Sequence, residues 1–177
     1  QRLFGSRVRT RGYAYDRGFG VEKDLKKAFK SYELSCAGNN GNACSSLGIM
    51  YINGVVVKED FKAAHDLFDK SCSLGSVEGC TNLGTVYQNG EGVERNYTKA
   101  FKLFNTSCSL HDSLACANLG IMYTFGQGIS PNLKKAREYF DISCKGENAL
   151  GCNLLGYIYK DSMGVKQDLK LALKYFK

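Results

Sequence analysis

"KSCSLGSVEGCTNLGTVYQNG", residues 70–90, holds two cysteines, Cys72 and Cys80, eight positions apart. The same separation returns at Cys36 and Cys44, at Cys108 and Cys116, and at Cys144 and Cys152, each pair following the last by 36 residues. All eight cysteines of the chain belong to this series. Recurrence at such a period marks a repeat array, in which each unit is one supersecondary element that buries its apolar face against its neighbours.

Other columns align at the same period. Gly12, Gly48, Gly84, Gly120 and Gly156 form one, and Tyr15, Tyr51, Tyr87, Tyr123 and Tyr159 form another three residues on. Ala28, Ala64, Ala100, Ala136 and Ala172 share a place, as do Phe68, Phe104, Phe140 and Phe176, with Tyr32 standing there in the first unit. Phe61, Ala64, Leu67, Phe68 and Ser71 fall on one face of a helix, and Cys80, Leu83, Gly84 and Tyr87 on one face of a second. Asp24, Asp60, Asn96, Asn132 and Asp168 precede the first pattern, and Asn40, Ser76, Asp112 and Asn148 the second. Short polar side chains there accept hydrogen bonds from unpaired first-turn amides. Gly18, Gly54, Gly90 and Gly126 follow the tyrosines, where a left-handed helix cap favours glycine. The predicted fold is therefore all-α, a single domain over 1–177 built of antiparallel helix hairpins. Full repeats occupy 24–59, 60–95, 96–131 and 132–167. Residues 1–23 read as a partial first repeat, with Val8 in the cysteine place and Arg11 in the leucine place, and 168–177 as a partial or capping helix.

Composition narrows the class. The chain is 44% hydrophobic, yet no apolar run approaches the roughly 20 residues that span a bilayer, so membrane insertion is not expected. The net charge of +7 is spread along the helices, which reads as a solvated lysine-rich surface and not as a nucleic-acid footprint. "QRLFGSRVRTRGY" offers no apolar segment for a signal peptide and Gln1 is no initiator, so the sequence reads as a mature or excised chain.

Cys72 falls in the last turn of one helix and Cys80 in the first turn of the next, so a hairpin brings them together across its short connection. Zinc sites favour closer cysteine spacing with further Cys or His nearby, whereas His65 and His111 occupy unrelated columns. Eight reduced thiols would not account for cysteines that come in pairs. The expectation is four disulfides, Cys36–Cys44, Cys72–Cys80, Cys108–Cys116 and Cys144–Cys152, with no metal and no cofactor. Disulfides place the protein in an oxidising compartment, periplasmic or secreted.

The run "NLGTVYQNGEGVERNYTKAFKLF", with Leu83, Gly84, Tyr87 and Gly90 followed by Ala100 and Phe104, resembles the Sel-one-like repeat, a relative of the tetratricopeptide repeat. A cysteine pair in every unit narrows the resemblance to the Helicobacter cysteine-rich protein family. That likeness implies a right-handed α-solenoid with one disulfide per repeat, export, and one of two activities: a scaffold that binds a peptide or protein partner, or a weak penicillin-binding protein or β-lactamase. It is compatible with a monomer or with a subunit of a larger assembly.

The resemblance also implies that the helix carrying Leu-Gly-x-x-Tyr lines the concave face, with the residue before the leucine pointing out of the hairpin core. Ser46, Asn82, Asn118 and Leu154 hold that place, Asn153 is adjacent to it, and Asn53 and Asn89 share a column near the helix end. Asparagine carries donors and an acceptor, so a row of them suits the backbone of an extended peptide. Leu114, Phe125, Leu150 and Leu154 would add apolar pockets. A clamp for a terminal carboxylate would want lysines one turn away, where the chain has Asn42, Glu78, Leu114 and Leu150. Ser35, Ser71, Ser107 and Ser143 recur beside the first cysteine and read as small residues packed at a helix contact, each hydroxyl bonded to the preceding turn. No serine has a lysine three residues on, as S-x-x-K requires, and the sequence lacks K-T-G, S-D-N and G-x-S-x-G. The peptide-binding scaffold is the preferred expectation and the β-lactamase the alternative. Metal-free protein is expected to hydrolyse nitrocefin no faster than a heat-denatured control, and turnover abolished by one serine substitution would overturn that expectation.

Overall fold

The computed structural model describes residues 11–176; Gly5 and Val8, which the repeat frame places in a second helix, lie outside them. Gln1–Arg95 and Asn96–Lys177 form two compact units. The first holds α1, helical over residues 11–17, then α2 (Leu25–Ala37), α3 (Gly41–Ile52), α4 (Phe61–Ser73) and α5 (Val77–Asn89). The second holds α6 (Tyr97–Ser109), α7 (Ser113–Phe125), α8 (Leu133–Lys145), α9 (Ala149–Lys160) and α10 (Leu169–Tyr175). No strand occurs among the described residues.

Capping residues set the helix starts. Asp24, Asp60, Asn96, Asn132 and Asp168 each accept from the backbone amide three residues on, at 2.8–3.0 Å. Asn40, Ser76, Asp112 and Asn148 do the same before the second helices at 2.8–3.2 Å. Each such cap contributes about 1 kcal/mol. The hairpin turns share one geometry: Asn39, Gly75, His111 and Glu147 take φ between 60 and 82°, and the next residue donates its N–H to the carbonyl of Ser35, Ser71, Ser107 or Ser143 at 3.0–3.1 Å. The longer return loops are tied as well, because Asp24, Asp60, Asn132 and Asp168 donate their N–H groups to the carbonyls of Tyr15, Tyr51, Tyr123 and Tyr159 at 2.8–3.1 Å.

Disulfides join Cys36 to Cys44, Cys72 to Cys80, Cys108 to Cys116 and Cys144 to Cys152, with Cα–Cα distances of 4.4–4.8 Å. Each bridges the last turn of one helix and the first turn of the next. Chain entropy gives roughly 2 to 3 kcal/mol for so short a loop.

Between hairpins the contact is a ring on a bare backbone. A Cβ at Gly48 would lie 2.7 Å from Cε1 of Phe68, one at Gly156 2.6 Å from Cε1 of Phe176, and one at Gly12 2.7 Å from the Tyr32 ring. Gly120 meets Phe140 in the same way. Phe68, Phe104 and Phe140 are almost wholly buried, as are the alanines of the neighbouring column.

The return loops carry a second left-handed column beside the predicted caps. Gly20, Gly92, Gly128 and Gly164 take φ of 70–72°, and Val56 takes 73° in the corresponding place. A β-branched residue is strained there, and the left-handed region costs an L-residue roughly 1–2 kcal/mol. Glycine's greater freedom in the unfolded chain offsets part of the relief. Val56→Gly is therefore expected to stabilise the protein by about 0.5–1 kcal/mol, raising Tm by a few degrees, while Gly128→Val, whose Cβ would meet that of Tyr97 at 2.7 Å, lowers it. Thermal denaturation checks both, and a lower Tm for Val56→Gly would refute the strain.

Candidate functional site

The recurrent serines are buried, as expected of small residues at a helix contact. Their bonding differs from the sequence expectation where the partners are seen. Ser71 Oγ donates to the carbonyl of Gly41 at 2.7 Å, and Ser143 Oγ to that of Ser113 at 2.6 Å. Each hydroxyl thus crosses to the second helix of the preceding hairpin, because that helix starts within reach and its first-turn carbonyl faces the contact. A buried hydroxyl committed in this way is a packing group. His65 takes the place of Phe29 and Phe101 in edge-to-face contact with the column tyrosine, its ring 5.6 Å from that of Tyr87. Its nitrogens lie 2.9 Å from Asp66 Oδ1 and 3.3 Å from Tyr87 Oη. The hydrogen bond to His65 is the main cause that holds the Asp66 carboxyl below its usual range.

The asparagines expected to form a row sit in different surroundings. Asn82 Nδ2 donates to Ser45 Oγ at 3.0 Å, tying α5 to α3. Asn118 is buried, 8% exposed. Asn89 is exposed and donates to Glu91 Oε1 at 2.9 Å. Asn53 is exposed, Ser46 is half-buried, and Leu154 is half-buried. Asn153 lies one place off the row, in the column of Ser45, Thr81 and Ala117; those three are buried, whereas Asn153 is exposed. Two of the five candidate amides, Asn82 and Asn118, therefore serve or border helix packing, which the repeat column alone does not reveal.

In the first unit the open side of α1 and α3 forms a pocket of about 640 Å³, within the range of ligand sites. Its polar lining includes Asp16, Arg17, Asn42, Ser46, Asn53 and Glu78, over an apolar floor that includes Ile49 and Met50. Tyr32 also lines it, 3% exposed, with its hydroxyl bonded to Ser46. Burial, reinforced by the nearby Asp16 carboxylate, pushes the Tyr32 phenol up to about 12. Asn42 is held by Ser76, whose Oγ donates to Asn42 Oδ1 at 2.7 Å. Of this pocket the repeat reading supplied only Ser46 and Asn53 as site residues. The available signal was Tyr32 itself, a polar departure in a phenylalanine column.

The second unit presents a different face. Leu114 and Leu150, one repeat apart at the same helical place, are 39% and 40% exposed, and Phe125 is 71% exposed. Among the described residues no helix is long and apolar enough to cross a membrane, and no three His, Cys, Asp or Glu side chains gather to hold a metal ion.

Disulfide-stapled helix hairpins that pack ring on glycine at a 36-residue period define an α-helical repeat protein of the solenoid class. The chain belongs to the Sel1 repeat family, which it matches in five consecutive segments, residues 11–40, 41–76, 77–112, 113–148 and 149–177. From residue 41 onward these segments begin with second helices, half a unit out of phase with hairpins counted from their first helices. Similar solved structures include a Sel1 repeat protein from Oxalobacter formigenes, with 29% identity over 97% of this chain and 70% of that one and a TM-score of 0.85. A protective antigen of uropathogenic Escherichia coli with an SLR fold shares 27% identity over 97% of this chain, which spans only 37% of the antigen, at a TM-score of 0.76. Helicobacter pylori cysteine rich protein B shares 29% identity over 65% of this chain and 88% of its own, at a TM-score of 0.56. Comparison with curated proteins at the level of sequence gives no match.

Because Asn82 bridges two repeats, Asn82→Ala removes a partner of the buried Ser45 and is expected to cost about 0.5–1.5 kcal/mol of stability. Asn89→Ala, at an exposed site with a local bond, should change it by less than about 0.5 kcal/mol. Urea denaturation of the two variants checks the contrast, and equal midpoints would show that the Asn82 bond contributes nothing.

Proposed function

We propose that the protein is an exported scaffold that binds an extended peptide segment of a partner protein on the open faces of its second helices. The observation that carries this reading is the pair Leu114 and Leu150, left exposed at matching places on α7 and α9. Large apolar side chains repeated on one face of a folded repeat protein are characteristic of an interaction surface. Binding through backbone groups of the peptide, with side chains resting on these leucines, fits the period of the array. The four disulfides, which leave no free cysteine among those described, support an oxidising compartment.

The test is replacement of exposed residues only, so that folding is spared. Leu114→Gln with Leu150→Gln should leave the helical circular dichroism and Tm unchanged. Capture of the partner, identified by cross-linking in the periplasmic or extracellular fraction, should fall by about tenfold, as expected when two apolar contacts are lost. Undiminished capture would reject these faces as the binding surface, and reduced cysteines in protein from its native compartment would reject export.

A further inference from the structure

Three asparagines of the chain are followed directly by glycine: Asn40–Gly41, Asn53–Gly54 and Asn89–Gly90. In such a pair the glycine nitrogen can attack the asparagine side-chain carbonyl, because glycine has no Cβ to obstruct the approach. The peptide between the two residues must first turn about the asparagine Cα–C bond until its nitrogen meets Cγ. Whatever holds that peptide or that side chain slows the reaction. Asn40 is held at both. Its Oδ1 accepts from the Ala43 N–H at 3.0 Å, the Gly41 carbonyl accepts from Ser71 Oγ at 2.7 Å, and a Cβ on Gly41 would lie 3.1 Å from the Ser71 carbonyl oxygen. Asn89 is held as well. The Gly90 N–H donates to the Val86 carbonyl at 2.9 Å, the Asn89 carbonyl accepts from Arg95 Nη2 at 3.3 Å, and the Asn89 side chain donates to Glu91 Oε1 at 2.9 Å.

Asn53 occupies the column of Asn89 one repeat earlier and lacks these restraints. Its side chain is exposed and makes no hydrogen bond among the described residues. The Gly54 N–H reaches only the Tyr51 carbonyl, at 3.4 Å, longer than a usual N–H···O bond. The sequence explains the difference. Val55 stands where Glu91 stands, so no carboxylate takes up the side-chain amide, and Glu59 stands where Arg95 stands, an acceptor that cannot donate to the Asn53 carbonyl.

We infer that Asn53 is a modification site, deamidated by water without an enzyme and ahead of Asn40 and Asn89. The Gly54 nitrogen bonds to Asn53 Cγ and gives up its proton, the side-chain nitrogen leaves as ammonia, and a cyclic imide joins the two residues. Water then adds to either imide carbonyl, and the ring opens to aspartate or isoaspartate at position 53. The product bears on the pocket of the first unit, which Asn53 lines. Its charged residues otherwise balance, Asp16 and Glu78 against Arg17 and Lys23, and deamidation adds a carboxylate to them. The pocket therefore changes its charge as the protein ages, whatever the protein binds.

The test is incubation of the purified, disulfide-intact chain in mildly alkaline buffer at physiological temperature, followed by peptide mapping by mass spectrometry. Conversion at Asn53 should run about tenfold faster than at Asn89 or Asn40, as expected where two hydrogen bonds no longer hold the reacting groups. In reduced, urea-unfolded chain the three rates should converge. Two variants exchange the restraints. Arg95→Ala should hasten conversion at Asn89, and Val55→Glu with Glu59→Arg, which copies the surroundings of Asn89, should slow it at Asn53, both with unchanged helical circular dichroism. Absent conversion at Asn53, a rate there no greater than at Asn89, or a tenfold ratio that persists in the unfolded chain would overturn the inference.

Discussion

An aromatic ring resting on a glycine sets the distance between successive hairpins. Glycine within a helix costs roughly 0.5–1 kcal/mol relative to alanine. The ring that it admits buries some 150–250 Å², which at about 25 cal/mol per Å² outweighs that cost several-fold. Gly48 with Phe68 and Gly120 with Phe140 show what close approach makes possible. Only when α4 lies directly on α3 does Ser71 reach the carbonyl of Gly41, and Ser143 reaches that of Ser113 by the same approach of α8 to α7. A methyl group at either glycine would displace the ring and with it the serine bond.

The disulfides and caps act at a different level. Each Cys pair closes a single hairpin, and each capping side chain satisfies a single helix start, so neither fixes where the next hairpin lies. They raise the intrinsic stability of the unit, while ring, serine and Asn82 contacts supply coupling between units. Stability of a repeat array is approximately the sum of these two kinds of term. The separation has a functional consequence. Side chains on the open face, such as Leu114 and Leu150, belong to neither set and are free to vary without loosening either the hairpin or the spacing.

Features that recur with the period were legible in the sequence because every copy must meet the same steric demand. The hairpins, caps, glycine turns and cysteine partners belong here. What the columns concealed was direction. Ser71 and Asn82 stand at repeated places that look alike on paper, yet their polar atoms bond to a neighbouring repeat, a contact about 30 or more residues away that helical periodicity does not encode. Asn153 looked adjacent to the row, but one step along a helix is a turn of about 100° and lands in the packing column of Ser45 and Ala117. Val56 shows the reverse case: it interrupts a left-handed glycine column that the sequence reading did not single out, yet the repeated geometry holds despite the residue.

Departures from a column therefore need to be sorted by where their distinguishing atom goes. His65 replaces phenylalanine, and both its nitrogens are taken up by Asp66 and Tyr87; its novelty is consumed inside the hairpin. Tyr32 also replaces phenylalanine, and its ring keeps the same seat on a glycine, Gly12. The added oxygen contributes nothing that packing requires, since three other repeats pack without it. It lies in the lining of the pocket on the first unit, whose lining also includes the Asp16 carboxylate. A buried hydroxyl carries a desolvation cost unless it is hydrogen-bonded, and here the bond to Ser46, on the facing helix of the same hairpin, offsets that cost.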